Sequence, residues 1–164
     1  MKNVILAVIV MAVSSSSFAT DLIIGGWSSH GSQSEYEKLN ESHYTFGAVF
    51  DNGVTVFTLR NSFNRQAGMA GYTKNISQWN YGKYKISTSL VIGVITGYTK
   101  EQAPNIHLRG NLSAYLLPVL SFGYGRVTLD TGISVAFNKP LITTNFRFTL
   151  AVSNNKLAVG VLVK

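Results

Sequence analysis

Alternation of apolar with small or polar residues recurs along this chain with no useful stretch of helical period between the segments, and this narrows the available folds more than any other feature. In YTFGAVF, Tyr44, Phe46, Ala48 and Phe50 share one face while Thr45, Gly47 and Val49 share the other. In YKISTSLVIGVIT, Ile86, Thr88, Leu90, Ile92 and Val94 oppose Lys85, Ser87, Ser89, Val91, Gly93 and Ile95. SAYLLPVLSFGYG, RVTLDTGISV and NFRFTLAV repeat the pattern. With Leu22–Ser28, Val54–Arg60 and Gly68–Thr73 these segments predict eight strands, and Asp51–Gly53 is a hairpin turn signal.

The chain has no cysteine, so its stability must come from hydrogen bonding and packing alone. Segments of about ten residues fit strands tilted across a bilayer. The polar members of the alternating sets include Lys85, Asp130 and Arg147, which make sense facing inward as a mutually satisfied network. The sequence therefore predicts an all-β fold, an eight-stranded antiparallel up-and-down transmembrane β-barrel. A soluble lipocalin-like barrel is the alternative, because alternation does not say which face meets solvent. Aromatic residues near strand ends, Tyr44, Phe50, Tyr84, Tyr98 and Tyr124, suit the two girdles of a membrane barrel. Strand parity puts the longer connections at one end and tight turns at the other, with Lys74–Lys83 as the exception.

Residues 1–19, with Lys2, an apolar run from Val4 to Val13 and small residues up to Ala19, read as a cleavable signal peptide, too short to span a membrane. Thr20 to Lys164 then forms one barrel domain, exported to the outer membrane. The formal charge of +7 comes from scattered lysines and arginines rather than a cluster, which argues for anionic lipid headgroups and against nucleic acid. The inward set runs from Lys85, Ser87 and Ser89 to Val91, Gly93 and Ile95 in one strand, and from Tyr115, Leu117 and Val119 to Ser121 and Gly123 in another. Half of the lumen is thus expected to be apolar, able to hold an acyl chain or simply to pack on itself.

Several motifs resemble the PagP family of outer-membrane lipid A palmitoyltransferases. DLIIGGWSSH, Asp21 to His30, is similar to that family's first strand and catalytic histidine. LRNSFNRQAGMAGY, Leu59 to Tyr72, resembles its Asp-Ser segment, and LLPVLSFGYGRVT, Leu116 to Thr128, resembles a later strand pair; LNE at Leu39–Glu41 adds to the likeness. The resemblance implies His30 and Ser62 as catalytic residues, with Asn61 where the family has aspartate. It matches Pro118, has Gly25 and Val135 where the family has other gate prolines, and places Thr73 at the glycine that floors the acyl pocket. Met69, Thr73, Val91, Ile95, Leu117 and Val119 are the expected pocket lining. It further implies that Asn61→Asp would raise the rate by placing a charge beside the imidazole.

Acyl transfer needs a proton acceptor, a donor to polarise the carbonyl and a dry place for the chain. His30 can serve as acceptor and Ser62 as nucleophile or donor; the bland alternative makes both solvated loop residues. His43 and His107 read as rim polarity. No spacing suggests a metal site, and no cofactor is implied. The expected partners are phospholipid and lipid A, and the expected state is a monomer. The expected function is transfer of an acyl chain, palmitate or shorter, from phospholipid to lipid A; a catalytically decayed barrel with a structural or surface-interaction role is the alternative.

Overall fold

The computed structural model describes residues 19–30, 39–134 and 141–150. Of the expected signal peptide, residues 1–19, all but Ala19 lie outside the described residues, as do the C-terminal residues 151–164. Among the described residues nine strands form: β1 (Ala19–His30), β2 (Ser42–Phe50), β3 (Val54–Arg60), β4 (Gln66–Tyr81), β5 (Tyr84–Thr96), β6 (His107–Arg109), β7 (Leu112–Tyr124), β8 (Val127–Ser134) and β9 (Leu141–Thr149). Each pairs antiparallel with its neighbours, and pairing of β1 with β9 and of β5 with β7 closes an eight-stranded up-and-down barrel. Closure pairs every strand of the wall on both sides, except where β4 runs on past Tyr72, so the barrel holds its backbone together without a cysteine framework. The three-residue β6 lies outside the barrel, paired only with the start of β7.

Hydrogen-bonded partners followed once around the wall run from Tyr84 through Tyr124, Val127, Phe148, Leu22, Ala48, Val56 and Ala70, and return to β5 at Val94. The return is ten residues along from the start (94 − 84). Ten residues of shear over eight strands tilt them by about 40° and give a wall radius of roughly 8 Å. The 13-residue strands β5 and β7 then rise about 33 Å along the axis, more than the ~25 Å apolar band of a membrane barrel.

Alternation resolves into two faces as the sequence predicts. Val91, Ile95, Leu117, Val119 and Met69 point into the lumen and are buried, while Phe46, Tyr72, Ile86, Ile92, Leu116, Leu120, Phe122 and Ile133 point outward and are exposed. A soluble barrel would invert this distribution, because each exposed apolar side chain forgoes about 1.5–3 kcal/mol of burial in water.

Two expectations about connections are corrected. Lys74–Lys83 is not a long loop: β4 continues to Tyr81 and turns into β5 through Gly82, at φ +57°, and Lys83. Polar residues hid this half of β4 because a bulge at Ile76 breaks the alternation, and beyond Tyr72 no β3 residue pairs with it. All three turns at that end, hereafter the turn end, are therefore tight. Tyr98 is not a girdle residue. It is 8% exposed, folded inward under the β5–β6 connection, where Ala103 is completely buried.

The turn half of the lumen holds the expected ionic network. Arg147 donates from Nε and Nη2 to the two carboxylate oxygens of Asp130, at 2.9 and 3.1 Å, and from Nη1 to Asp21 at 2.8 Å. Lys85, expected in the same network, takes no part in those bonds.

Candidate functional site

Long connections gather at the other end of the barrel, the loop end, where β3 runs into the turn 61–65. Asn61 is 0% and Ser62 1% exposed, so neither is a solvated loop residue. Asn61 folds the turn around itself: its Oδ1 accepts from the backbone N–H of Phe63 at 3.0 Å and of Arg65 at 2.9 Å, while its Nδ2 donates to the Gly97 carbonyl at 2.8 Å. Asparagine suits this position because an acceptor-only carboxylate could make the first two bonds but not the third. The Asn61 amide thus ties the β3–β4 turn to the start of the β5–β6 connection.

Ser62 faces a small cavity and hydrogen-bonds to the Tyr98 side chain. Burial pushes the Tyr98 phenol up to about 12, so it stays a neutral hydroxyl through the physiological range. Tyr98 also packs edge-on against Phe63, with ring centroids 6.3 Å apart. The Asn40 N–H donates to the Ser62 carbonyl at 2.7 Å, and the Asn40 Nδ2 to the Asn61 carbonyl at 3.2 Å. His30 ends β1 at this same end, its backbone paired with Leu141; its side chain lies outside the described residues.

The six residues expected to line an acyl pocket all face the lumen, and five of them line its cavities. Thr73, Val91, Leu117 and Val119 border a cavity of about 80 Å³ in the middle of the barrel. Ile95 borders a second of about 60 Å³ at the loop end, together with Ser62, Tyr98, Ala103 and Ile106. Met69 is 3% exposed within the apolar cluster but borders neither cavity. Thr73 hydrogen-bonds through its hydroxyl to that of Thr55 at 2.7 Å, closing the wall where a glycine would leave room.

His43 is the residue that sequence reasoning misplaced. Far from the solvated rim, it is 4% exposed and borders both cavities. Its Nδ1 lies 2.7 Å from the Arg60 carbonyl and its Nε2 2.6 Å from the Ser28 hydroxyl. Inward parity with Thr45 could have revealed His43, had the alternation been extended two residues toward the N-terminus of β2. His107, also assigned to rim polarity, is half-buried, and its Nδ1 has no partner among the described residues. Among the described residues no group of three or more His, Asp or Glu is placed to hold a metal ion.

The fold and site together define a closed eight-stranded barrel with an apolar outer wall, a polar turn half and a hollow loop half ringed by His43, Ser62 and Tyr98. No family model matches the chain, and no curated protein matches it.

Proposed function

We propose that this protein is an outer-membrane barrel that moves an acyl chain, palmitate or shorter, from a phospholipid ester to lipid A. The observation that carries the reading is the sorting of side chains by face and by height. Outside, a belt of aliphatic residues with Phe46, Tyr72, Phe122, Phe146 and Phe148 among them lies between Trp79, Tyr81, Tyr84 and Tyr124 toward the turn end and Trp27 and Tyr44 toward the loop end, all exposed. Trp and Tyr at both margins of an apolar band match the two interfaces of a bilayer. Inside, ion pairs close the turn end, whereas cavities run from Asp130 and Arg147 in the middle to the loop end, where a histidine and a serine border them. Lipid carbonyls lie at the depth of that hollow half, just below the interface, which suits ester chemistry there.

Cavities of about 60 and 80 Å³ hold roughly two and three methylene-sized groups at ~30 Å³ each. This favours a chain shorter than palmitate, or one admitted by a shift of the β5–β6 connection. A second reading, a barrel of the same build without catalysis, is favoured by the Asn61 amide, whose bonds are all made to backbone. Mass spectrometry of lipid A from cells with and without the gene separates the two. An added acyl chain is expected, and an unchanged lipid A in cells whose outer membranes contain the folded barrel would overturn the transfer reading. Recovery of the protein as a freely soluble periplasmic monomer would overturn the membrane location.

A further inference from the structure

β1 does not alternate evenly. Ile24 and Trp27 are both exposed although they stand three positions apart, while β9 covers the same stretch in two, from Phe146 to Thr144. The extra residue is a bulge at Gly25 and Gly26, which sit at φ +83° and +142°. Only glycine takes up such angles without strain, and a Cβ on Gly26 would stand 2.4 Å from Thr45 Oγ1. The bulge reverses the parity of everything after it. Without it Ser28 would share the outward face with Leu22 and Ile24; with it Ser28 turns inward, is 6% exposed, and meets His43.

The Arg60 carbonyl fixes the tautomer of neutral His43. The Arg60 carbonyl can only accept, so His43 Nδ1 carries the proton and donates to it at 2.7 Å. Neutral His43 then presents a lone pair on Nε2, and the Ser28 hydroxyl donates to it at 2.6 Å. A serine on a buried imidazole whose far nitrogen is pinned by a carbonyl is the arrangement of an activated nucleophile and its general base. A bulge spent on turning a serine toward a histidine has no evident packing purpose, since a hydroxyl gains little from burial. Bulges of this kind commonly re-aim a side chain beside a reactive centre.

We propose that Ser28 and His43 form a nucleophile–base pair that takes up the acyl group of an ester with a short apolar chain. Ser28 Oγ attacks the ester carbonyl carbon as its proton passes to His43 Nε2. The tetrahedral adduct expels the alcohol oxygen, which takes that proton from the imidazolium, leaving an acyl-Ser28 ester and a free alcohol. An acceptor hydroxyl, or water, then repeats the sequence in reverse and restores both residues. Phe57, Leu59 and Tyr115, which with His43 border both cavities, hold the chain on the His43 side of the pair, Ser28 itself bordering neither cavity. The choice of ester substrate rests on the proposed acyl transfer; the pair itself rests on geometry alone.

The full chain, folded in detergent micelles, is incubated with a butyl fluorophosphonate and digested for peptide mass mapping. Ser28 should carry a phosphonyl adduct, with fluoride released. The adduct should form at least ~100-fold more slowly in His43→Gln, and p-nitrophenyl butyrate turnover should fall by a similar factor. Folding of the variant is checked by its migration in unheated gels, and the wild-type adduct map decides the matter if His43→Gln fails to fold. No adduct, or one confined to another serine, overturns the proposal. An altered lipid A without a Ser28 adduct keeps the transfer reading and removes this pair from it; a Ser28 adduct with ester turnover but unchanged lipid A keeps the pair and removes the lipid acceptor.

Discussion

The two halves of the lumen are built from the same alternating strands yet end in opposite states. At the turn end Asp21, Asp130 and Arg147 satisfy one another, with Thr128 buried alongside. At the loop end Leu59, Ile95 and Ala103 border a cavity, Ala67 and Met69 belong to the same apolar cluster, and the buried polar groups include Asn61, Ser62, His43, Ser28, Ser113 and Ser134. The turn half is held by closed chemistry: Arg147 is shared between two carboxylates that have no other cation in the network. The loop half keeps volume and directed hydroxyls, so the difference separates the part that holds the barrel shut from the part available to a ligand.

The largest effect should come from breaking the closed half. Arg147→Met leaves the half-buried Asp21 and Asp130 together without their cation, and loss of one member of a fully buried cluster costs about 3–5 kcal/mol, an upper bound here. Urea titration, followed by the mobility shift between folded and unfolded barrel in unheated gels, should show the midpoint fall sharply. An unchanged midpoint would mean that water satisfies the two carboxylates and that the turn half is not closed.

Next comes the bulge, which serves only the open half. Gly26→Ala demands a Cβ at φ +142° against Thr45 and Asn145, and should cost about 1–3 kcal/mol in stability. If β1 relieves the strain by losing its bulge, Ser28 turns outward, and reaction at Ser28 with the fluorophosphonate should disappear while the barrel still folds. Full reaction at Ser28 in a folded Gly26→Ala protein would show that the bulge does not set its direction.

Asn61→Asp reverses what resemblance to the transferases implies. A carboxylate keeps the acceptor bonds to Phe63 and Arg65 but faces the Gly97 carbonyl with no proton to donate. The expected result is a loss of about 1–3 kcal/mol and looser β3–β4 and β5–β6 connections, read as faster proteolysis at the loop end, with no gain in acyl transfer. A faster enzyme would restore the catalytic role to this position.

The smallest effect sharpens the comparison at its boundary. Thr73→Gly removes the hydroxyl bond to Thr55, worth about 1 kcal/mol, and extends the middle cavity toward the turn half. The acyl chain added to lipid A should lengthen by one or two methylenes, about 14 daltons each; each buried CH₂ contributes ~0.8 kcal/mol to selection. A product of unchanged length would show that Thr73 does not limit the chain.

The sequence by itself determined the barrel. Period-two alternation survives because each strand has one face in the lumen and one outside, so Val91, Ile95, Leu117 and Val119 could be assigned inward from parity alone. It also marked Arg147 and Asp130, because charges placed among apolar strands need each other. Where that one-face rule failed, the sequence was silent. Residues 74–81 pair only with β5, so neither face is forced to be apolar and the strand read as a loop. Tyr98 looked like a girdle residue because its direction depends on how the β5–β6 connection folds back over Ser62. Asn61 and Ser62 were visible as a pair, but that the Asn61 amide braces Gly97, 36 positions away in the chain, was not. Only the tertiary structure joined Ser28 to His43: parity carried through a two-glycine bulge reverses, and the reversal becomes legible only when the neighbouring strands fix the register.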